Sequence, residues 1–581
     1  MVLGLFVLAF AGFRVAKNRE VGDSRYTILL AQTLLHHGDF ALDRYHLPET
    51  ATVEGRLRAD YHLEQVGGHW YYTFPAGSSI LSVPFVAALN LVGVSATRPD
   101  GTYDLEREMR IDVFLANLLM AIFVIVVYAT ARLLLPRLWS ALLATITAFG
   151  TQVFSTTSRA LWSDTWGLVL IGVCIFLLLR AEVTRGRAFP VLLGTLAGWA
   201  YWVRPTNALP VAAIGIFLAV TRPRDLAKFL GAVALWLGAL ALYSWLHFHR
   251  LLPAYFSPGR LTFGRFFVAM AGDLVSPSRG LLVFVPILIL VGVLIVRHWR
   301  DVRHRRLVLL SASVVVLHLV LVSGFDHWWG GHSYGARLTA GLVPWMALLG
   351  VLSVDVMRST GGARAGTIVV AGVLAATSIF MNAVGAFSED AMRWNVIPLN
   401  VDSHPERLWS LRNPQFLAPF LEPAGPFPAL PPAELRLVAF DADKYLGLGW
   451  ANPDEDYRWT DGHRATIRFS ASEDLPGLLR LEVKPYLADG KVREQRLEVW
   501  TNGQQLQVIH LDSPEFTWHE IKVPRETLRR ETVLNLRTPD AISPSKVGLS
   551  KDRRALGVAV RALQWSQPGQ PGPPGQDQSS L

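Results

Sequence analysis

Four charged residues stand out for the company they keep. Asp23 follows an apolar N-terminal stretch and opens GDSRYTILLAQTLLHHGDF. Asp164 ends SRALWSD (158–164), which also holds Arg159 and Trp162. Arg204 sits in WVRPTN, and Arg337 lies near the end of FDHWWGGHSYGARL, after Asp326, His327, Trp328, Trp329, His332 and Tyr334. A fifth stretch, SPSRGLL, carries Arg279, with Asp273 just ahead of it. A carboxylate can take the proton from an attacking hydroxyl. The planar fork of arginine grips two oxygens of a phosphate. Aromatic faces such as Tyr26, Trp162, Trp328 and Tyr334 can line a groove for a ring or an apolar chain. Together these residue types suit displacement at a carbon whose leaving group is a phosphate, provided that the chain brings them to one place.

The elements that must gather them follow from composition. Of 581 residues, 51% are hydrophobic and 17% charged, below the roughly 25% charged residues of a soluble domain; the mean hydropathy is +0.31. A bilayer is the expected solvent for much of the chain. The formal net charge of +9 does not point to nucleic acid, because the arginines lie in short runs between apolar stretches, as orientation signals do. The one cysteine, Cys174, lies inside an apolar run, which excludes an intrachain disulfide and a cysteine zinc cluster. MVLGLFVLAFAGF lacks a basic leader and a clean cleavage signal, so it reads as a retained first helix.

Apolar segments approaching the ~20 residues a crossing needs fall at 1–16, 75–95, 111–131, 138–156, 164–181, 188–203, 206–221, 229–247, 280–296, 307–325, 337–356 and 367–386. Basic clusters follow alternate segments: Arg132 and Arg137; Arg180, Arg185 and Arg187; Arg222, Arg224 and Lys228; Arg297 to Arg306; Arg358 and Arg364. The positive-inside rule makes their side cytoplasmic. Parity then requires 75–95, interrupted by Gly77 and Pro84, to lie along the interface or to dip in and out. The expectation is a polytopic α-helical membrane protein of about eleven transmembrane helices in the inner (plasma) membrane. Its N-terminus is cytoplasmic, and a long first extracytoplasmic loop covers 17–110. On that topology every polar stretch named above opens on the extracytoplasmic face, where charged groups at bilayer depth mark a cavity or a pathway.

The membrane domain ends near 387. Residues 388–432, rich in Pro and Trp, read as a linker. Alternating patterns such as ATIRFSA, LLRLEVKPY and LGVAVRALQW over 433–565 predict an extracytoplasmic all-β sandwich or jelly-roll domain. Trp450, Tyr457 and Trp459 are its candidates for an aromatic platform, with core packing as the alternative. The Pro/Gly/Gln-rich stretch 566–581 reads as a disordered tail.

Each candidate has a plainer role beside the chemical one. Asp23 and Asp164 suit helix caps. Arg204 and Arg337 can snorkel to headgroups, and Trp328 and Trp329 can belong to an interfacial belt. His327 and His332 lack the spacing of a helical metal site, so no metal ligand is assigned.

At this point the stretches resemble the GT-C superfamily of membrane glycosyltransferases, in the branch of protein O-mannosyltransferases and aminoarabinose transferases. The likeness is carried by the first-helix exit with Asp23, YYTFPAGSSILSVPF, SRALWSD, RPTN, and SPSRGLL with WWGGHSYGARL. The resemblance implies an inverting transfer of a sugar from a polyprenyl-phosphate donor to a lipid, glycan or protein acceptor. It implies Asp23 as general base, Asp164 as the second acidic position, and Arg159, Arg204, His332 and Arg337 at the donor phosphate. Tyr26, Trp162, Trp328 and Tyr334 are assigned to lining the substrate site. Ser24 stands where many relatives carry a second acid, and Asp164 lacks a paired acid, which leaves a divalent metal open. The rival classes are a transporter or flippase and a non-catalytic glycan-assembly protein.

Overall fold

A computed structural model describes residues 1–566 apart from 21, 46, 48–51, 54, 55, 58–60, 258, 260, 362–364, 398, 422–426, 430–433, 440, 441, 472–476, 551 and 553. Arg364 and the expected tail, from 567 onward, lie outside the described residues. The chain forms two compact units, Met1–Ser388 and Glu389–Leu581.

The first unit is helical. Its helices are α1 (Val2–Val15), α2 (Thr27–His37), α3 (Gly77–Leu91), α4 (Leu105–Arg132), α5 (Arg137–Phe149), α6 (Ser163–Thr184), α7 (Pro190–Val203), α8 (Ala208–Thr221), α9 (Pro223–Phe248), α10 (Phe266–Val275), α11 (Leu281–Phe284), α12 (Ile287–Arg297), α13 (Arg305–Val322), α14 (Val343–Ser359) and α15 (Ala365–Phe387). Among the described residues six stretches are long and apolar enough to cross a membrane: α4, α6, α9, α13, α15, and Arg337–Ser359, where a short 3-10 turn runs into α14. The chain is thus a multi-pass membrane protein. Seven further apolar helices of 10–17 residues accompany them.

Two segments that read as unbroken in the sequence are interrupted. The stretch 280–296 is divided between α11 and α12 around Pro286, which has no N–H to continue the ladder. The stretch 138–156 ends as α5 at Phe149 and resumes as a π-turn over Val153–Thr157. That turn delivers the chain to Ser158 and Arg159.

The longest helix organises the polar end. Asp104 caps α4 by accepting from the N–H groups of Glu106 (3.0 Å) and Arg107 (3.2 Å). At 28 residues, α4 is about 42 Å long at 1.5 Å per residue, more than a hydrocarbon core requires. Its first turns carry two buried acids on one face. Glu108 accepts from the backbone N–H of Tyr26 (3.1 Å), Ile28 (3.1 Å) and Leu29 (3.0 Å), and from the Tyr103 hydroxyl (2.6 Å). One carboxylate so supplies the unpaired donors of the first turn of α2 and meets its positive dipole end. One turn on, Asp112 accepts from the Leu161 N–H (2.9 Å) and the Ser24 hydroxyl (3.5 Å). These two acids fasten both the loop after α1 and the segment before α6, the two pieces that carry Asp23 and Asp164. At Gly77 a Cβ would lie 2.7 Å from the backbone of Trp202, so only glycine lets α3 approach α7 this closely.

The second unit opens with α16 (Glu389–Arg393) and then becomes all-β. One antiparallel sheet orders the strands Gln504–Leu511, Gln495–Thr501, Thr532–Arg537 and Arg464–Phe469. The other orders Thr517–Lys522, Leu478–Pro485, Leu556–Ser566, Arg458–Asp461 and Trp450–Pro453, with Glu434–Arg436 also paired to Leu556–Ser566. Burial alternates along Leu478–Pro485, and residues of both sheets fill a single apolar core. Trp450 belongs to that core at 1% exposure, its indole N–H donating to the Thr466 carbonyl (2.8 Å), so of its two readings core packing is the one it takes. Tyr457 and Trp459 are half-buried and pack around Lys484, whose ammonium lies 4.1 Å and 5.8 Å from their ring centres.

Candidate active site

Asp23 is delivered by the loop that leaves α1, and Arg337 by the turn that leads into α14. Over 314 residues of separation they meet: an Arg337 Nη2 donates to Asp23 Oδ2 at 2.6 Å. The pair is open on one side, the Asp23 side chain being 32% exposed and that of Arg337 14%. Neighbours hold both members. Tyr72 donates its hydroxyl to the Asp23 carbonyl (2.6 Å). Arg337 donates a second bond to the Gly330 carbonyl (3.1 Å) and lies 3.9 Å above the ring of Trp162. Such stacking fixes the plane of the guanidinium while leaving its edge for hydrogen bonds.

A second acid–arginine pair stands beside the first. Asp164, in the first turn of α6, accepts from Arg204, which also donates to the Ser163 hydroxyl (3.0 Å) and the Thr206 hydroxyl (3.1 Å). Here the carboxylate is almost sealed, with a side-chain exposure of 3%. The two pairs are electrostatically continuous, Asp164 feeling Arg204, Arg337 and Asp23 in turn. Trp162, two residues before Asp164, joins them: its ring supports Arg337 on one side and meets Gly22, where a Cβ would clash at 2.7 Å.

Sequence reasoning missed one member. Glu20 is 7% exposed and lies in the fields of Arg337, Arg159 and Asp23, near the Trp162 indole. Burial pushes its carboxyl up to about 7, against the pull of the two arginines. In the sequence it sits between Arg19 and Val21 with nothing to mark it.

The other candidates are placed differently. Arg159 is fully buried and donates to the Phe13 carbonyl (2.6 Å), Asn117 Oδ1 (3.3 Å) and the Ser158 hydroxyl (3.0 Å). It fastens the end of α1 from beneath the site. Tyr26 is buried under α2 against His62 and Tyr103. Trp328 packs over Gly272, and Tyr334 donates to the Met381 carbonyl (2.6 Å) with its ring edge-on to Phe284. These three are packed side chains rather than exposed faces. His332 is exposed. Among the described residues no group of three His, Cys, Asp or Glu side chains gathers as a metal site would need.

Residues 107–248 match the model of a family described as dolichyl-phosphate-mannose-protein mannosyltransferase. No curated protein matches the chain. Among solved structures, the Archaeoglobus fulgidus oligosaccharyltransferase in complex with Zn and sulfate is 13% identical, with 74% of this chain and 60% of that chain covered and a TM-score of 0.43. ArnT from Cupriavidus metallidurans, bound to undecaprenyl phosphate, is 16% identical, with 68% of each chain covered and a TM-score of 0.35. The arabinosyltransferase EmbB from Mycobacterium smegmatis is 13% identical, with 97% of this chain and 64% of that chain covered and a TM-score of 0.34. The chain spans 62% of the length of the archaeal oligosaccharyltransferase in its apo form. The family match takes in Glu108, Asp112, Arg159, Trp162, Asp164 and Arg204, and leaves Asp23 and Arg337 outside. The chain therefore resembles GT-C membrane glycosyltransferases of the protein O-mannosyltransferase-like branch, and the matched stretch carries that resemblance.

Proposed function

We propose that the protein is an inverting glycosyltransferase that moves a sugar from a polyprenyl-phosphate donor to an acceptor hydroxyl of a lipid, glycan or protein. The reaction takes place at the extracytoplasmic face. On this reading the chain crosses the membrane about eleven times with its N-terminus in the cytoplasm, and the β unit lies outside. The observation that carries the reading is the contact of a partly exposed Asp23 with an Arg337 stacked on Trp162.

In the reaction, Asp23 takes the proton of the acceptor hydroxyl. The acceptor oxygen attacks the anomeric carbon, whose bond to the phosphate oxygen breaks with both electrons going to the phosphate. The transition state is oxocarbenium-like. Arg337 meets the charge that develops on the leaving phosphate, in a setting of low dielectric where a preorganised donor counts most. Donor phosphate and Asp23 compete for the edge of Arg337, so donor binding frees the carboxylate to act as base. Arg204, held by Asp164, adds positive potential. Trp162 keeps the Arg337 guanidinium flat, and the resemblance adds the exposed His332 at the donor phosphate.

The test is transfer of label from a radioactive polyprenyl-phosphate sugar in membranes containing the protein. Label should leave the lipid for an acceptor, and Arg337→Ala should reduce transfer by at least about 100-fold, the loss typical of one transition-state donor. Transfer by Arg337→Ala at the wild-type rate would overturn the reading. Movement of the intact lipid across the membrane without transfer would favour a flippase.

A further inference from the structure

Glu20 is neither base nor phosphate clamp in the scheme above, yet it sits among the residues that are. It is 7% exposed, its N–H donates to the Arg159 carbonyl (3.3 Å), and its carboxylate lies beside the Trp162 indole with no short hydrogen bond to any described residue. The neighbouring acids are each held by an arginine, Asp23 by Arg337 and Asp164 by Arg204. The groups facing Glu20 are Arg337 from the turn before α14, Arg159 and the Trp162 indole from the segment before α6, and Asp23 from its own loop. Arg14, at the end of α1, faces Arg159. The hydrogen bonds that Arg159 makes from its guanidinium go to neutral oxygens of Phe13, Asn117 and Ser158.

The formal charges set the problem. Arg159, Arg204 and Arg337 face Asp23, Asp164 and Glu20, whereas Arg14 is exposed and screened by solvent, so it is not counted with them. With all six ionised the cluster is neutral, and a phosphodiester enters it as an uncompensated buried charge, which is costly. With Glu20 protonated the cluster carries one positive charge, which matches the single negative charge of a sugar phosphodiester. We propose that Glu20 takes up a proton as the donor phosphate binds, and so fits the site to a singly charged phosphodiester. This rests on the donor reading above. Burial already holds the carboxyl near neutrality, at about 7, so an incoming anion has only to push the same equilibrium further. Glu20 acts here through Arg337 and Arg159 and is a positioning residue.

The probe is a short-chain prenyl-phosphate sugar, a phosphodiester whose own charge does not change between pH 6 and 8.5. Its binding to the full-length protein in lipid nanodiscs is measured by calorimetry in two buffers of different protonation enthalpy. Wild type should lose up to about tenfold in affinity per pH unit above 7, the slope of one linked proton. The same protein should take up close to one proton per donor bound at the alkaline end. Glu20→Gln should bind with the low-pH affinity throughout and take up no proton, with its melting temperature measured alongside. Binding by wild type with a flat pH profile and no proton uptake overturns the proposal and leaves the donor reading intact. The same slope in Glu20→Gln does so too. No binding of the phosphodiester at any pH overturns both. If Glu20→Gln fails to fold, the wild-type proton count decides alone.

Discussion

The two acid–arginine pairs of the membrane unit use the same residue types and differ in access. Asp164 and Arg204 have side-chain exposures of 3% and 12%, whereas Asp23 and Arg337 have 32% and 14%. The first acid lies in the opening turn of α6, where the helix dipole favours an anion, and its arginine is shared with two hydroxyls. The second lies in a loop with one face toward solvent. A buried pair repays its desolvation only while both members are present. A half-open pair can trade partners. In the proposed reaction this contrast divides the work: Asp164 and Arg204 hold the shape and the potential, and Asp23 and Arg337 exchange contacts with substrate.

Substitutions test that contrast. The largest loss of stability is expected at Asp164→Ala, which leaves Arg204 buried without its partner. It should lower stability by about 3–5 kcal/mol, read as a fall in melting temperature of the purified protein, and activity should fall with the fold. Glu108→Gln comes next. It keeps the side-chain volume but weakens the bonds to Tyr26, Ile28, Leu29 and Tyr103, at about 1–3 kcal/mol for charge-assisted hydrogen bonds. Faster proteolysis of the loop between α1 and α2 would reveal it. Trp162→Leu removes the surface beneath Arg337 and should weaken donor binding by about five- to thirtyfold, taking about 1–2 kcal/mol for the cation–π contact; donor titrations measure it. His332→Ala, at an exposed position, should change melting by no more than about 0.5 kcal/mol equivalent. An Asp23→Asn protein as unstable as Asp164→Ala would erase the contrast.

Much of this is legible in the sequence. Trp162, Asp164, Arg204 and Arg337 stand out as charges and an indole beside apolar runs, Asp23 by its place between the first helix and an amphipathic stretch and by the family resemblance, and the structure brings them together. The β unit was legible from strand alternation, which its burial pattern follows. Other features were not. Glu108 and Asp112 sit at the head of α4, where a window of about 20 residues averages them into a spanning segment. Their spacing of four places them on one face, but nothing in the sequence says that this face meets the start of α2. Arg159 reads like its neighbours in SRALWSD, yet the π-turn rotates it inward to Phe13. Trp450 lies near Tyr457 and Trp459 in the sequence but faces the core, a matter of strand register that composition does not reveal. The break at Pro286 was visible as a proline, and the window still bridged it.

In the proposed reaction Asp23 reacts while Asp164 supports, and a single variant separates the two roles. Asp23→Asn should be measured for donor binding, melting temperature and single-turnover transfer together. Donor affinity should be equal to or tighter than that of wild type, because Arg337 is no longer held by a carboxylate. Melting should fall by less than about 1 kcal/mol equivalent, as for a partly exposed pair, and transfer should be slower by about 10²–10⁴-fold, as when a general base is lost. Transfer near the wild-type rate with the donor bound would contradict it.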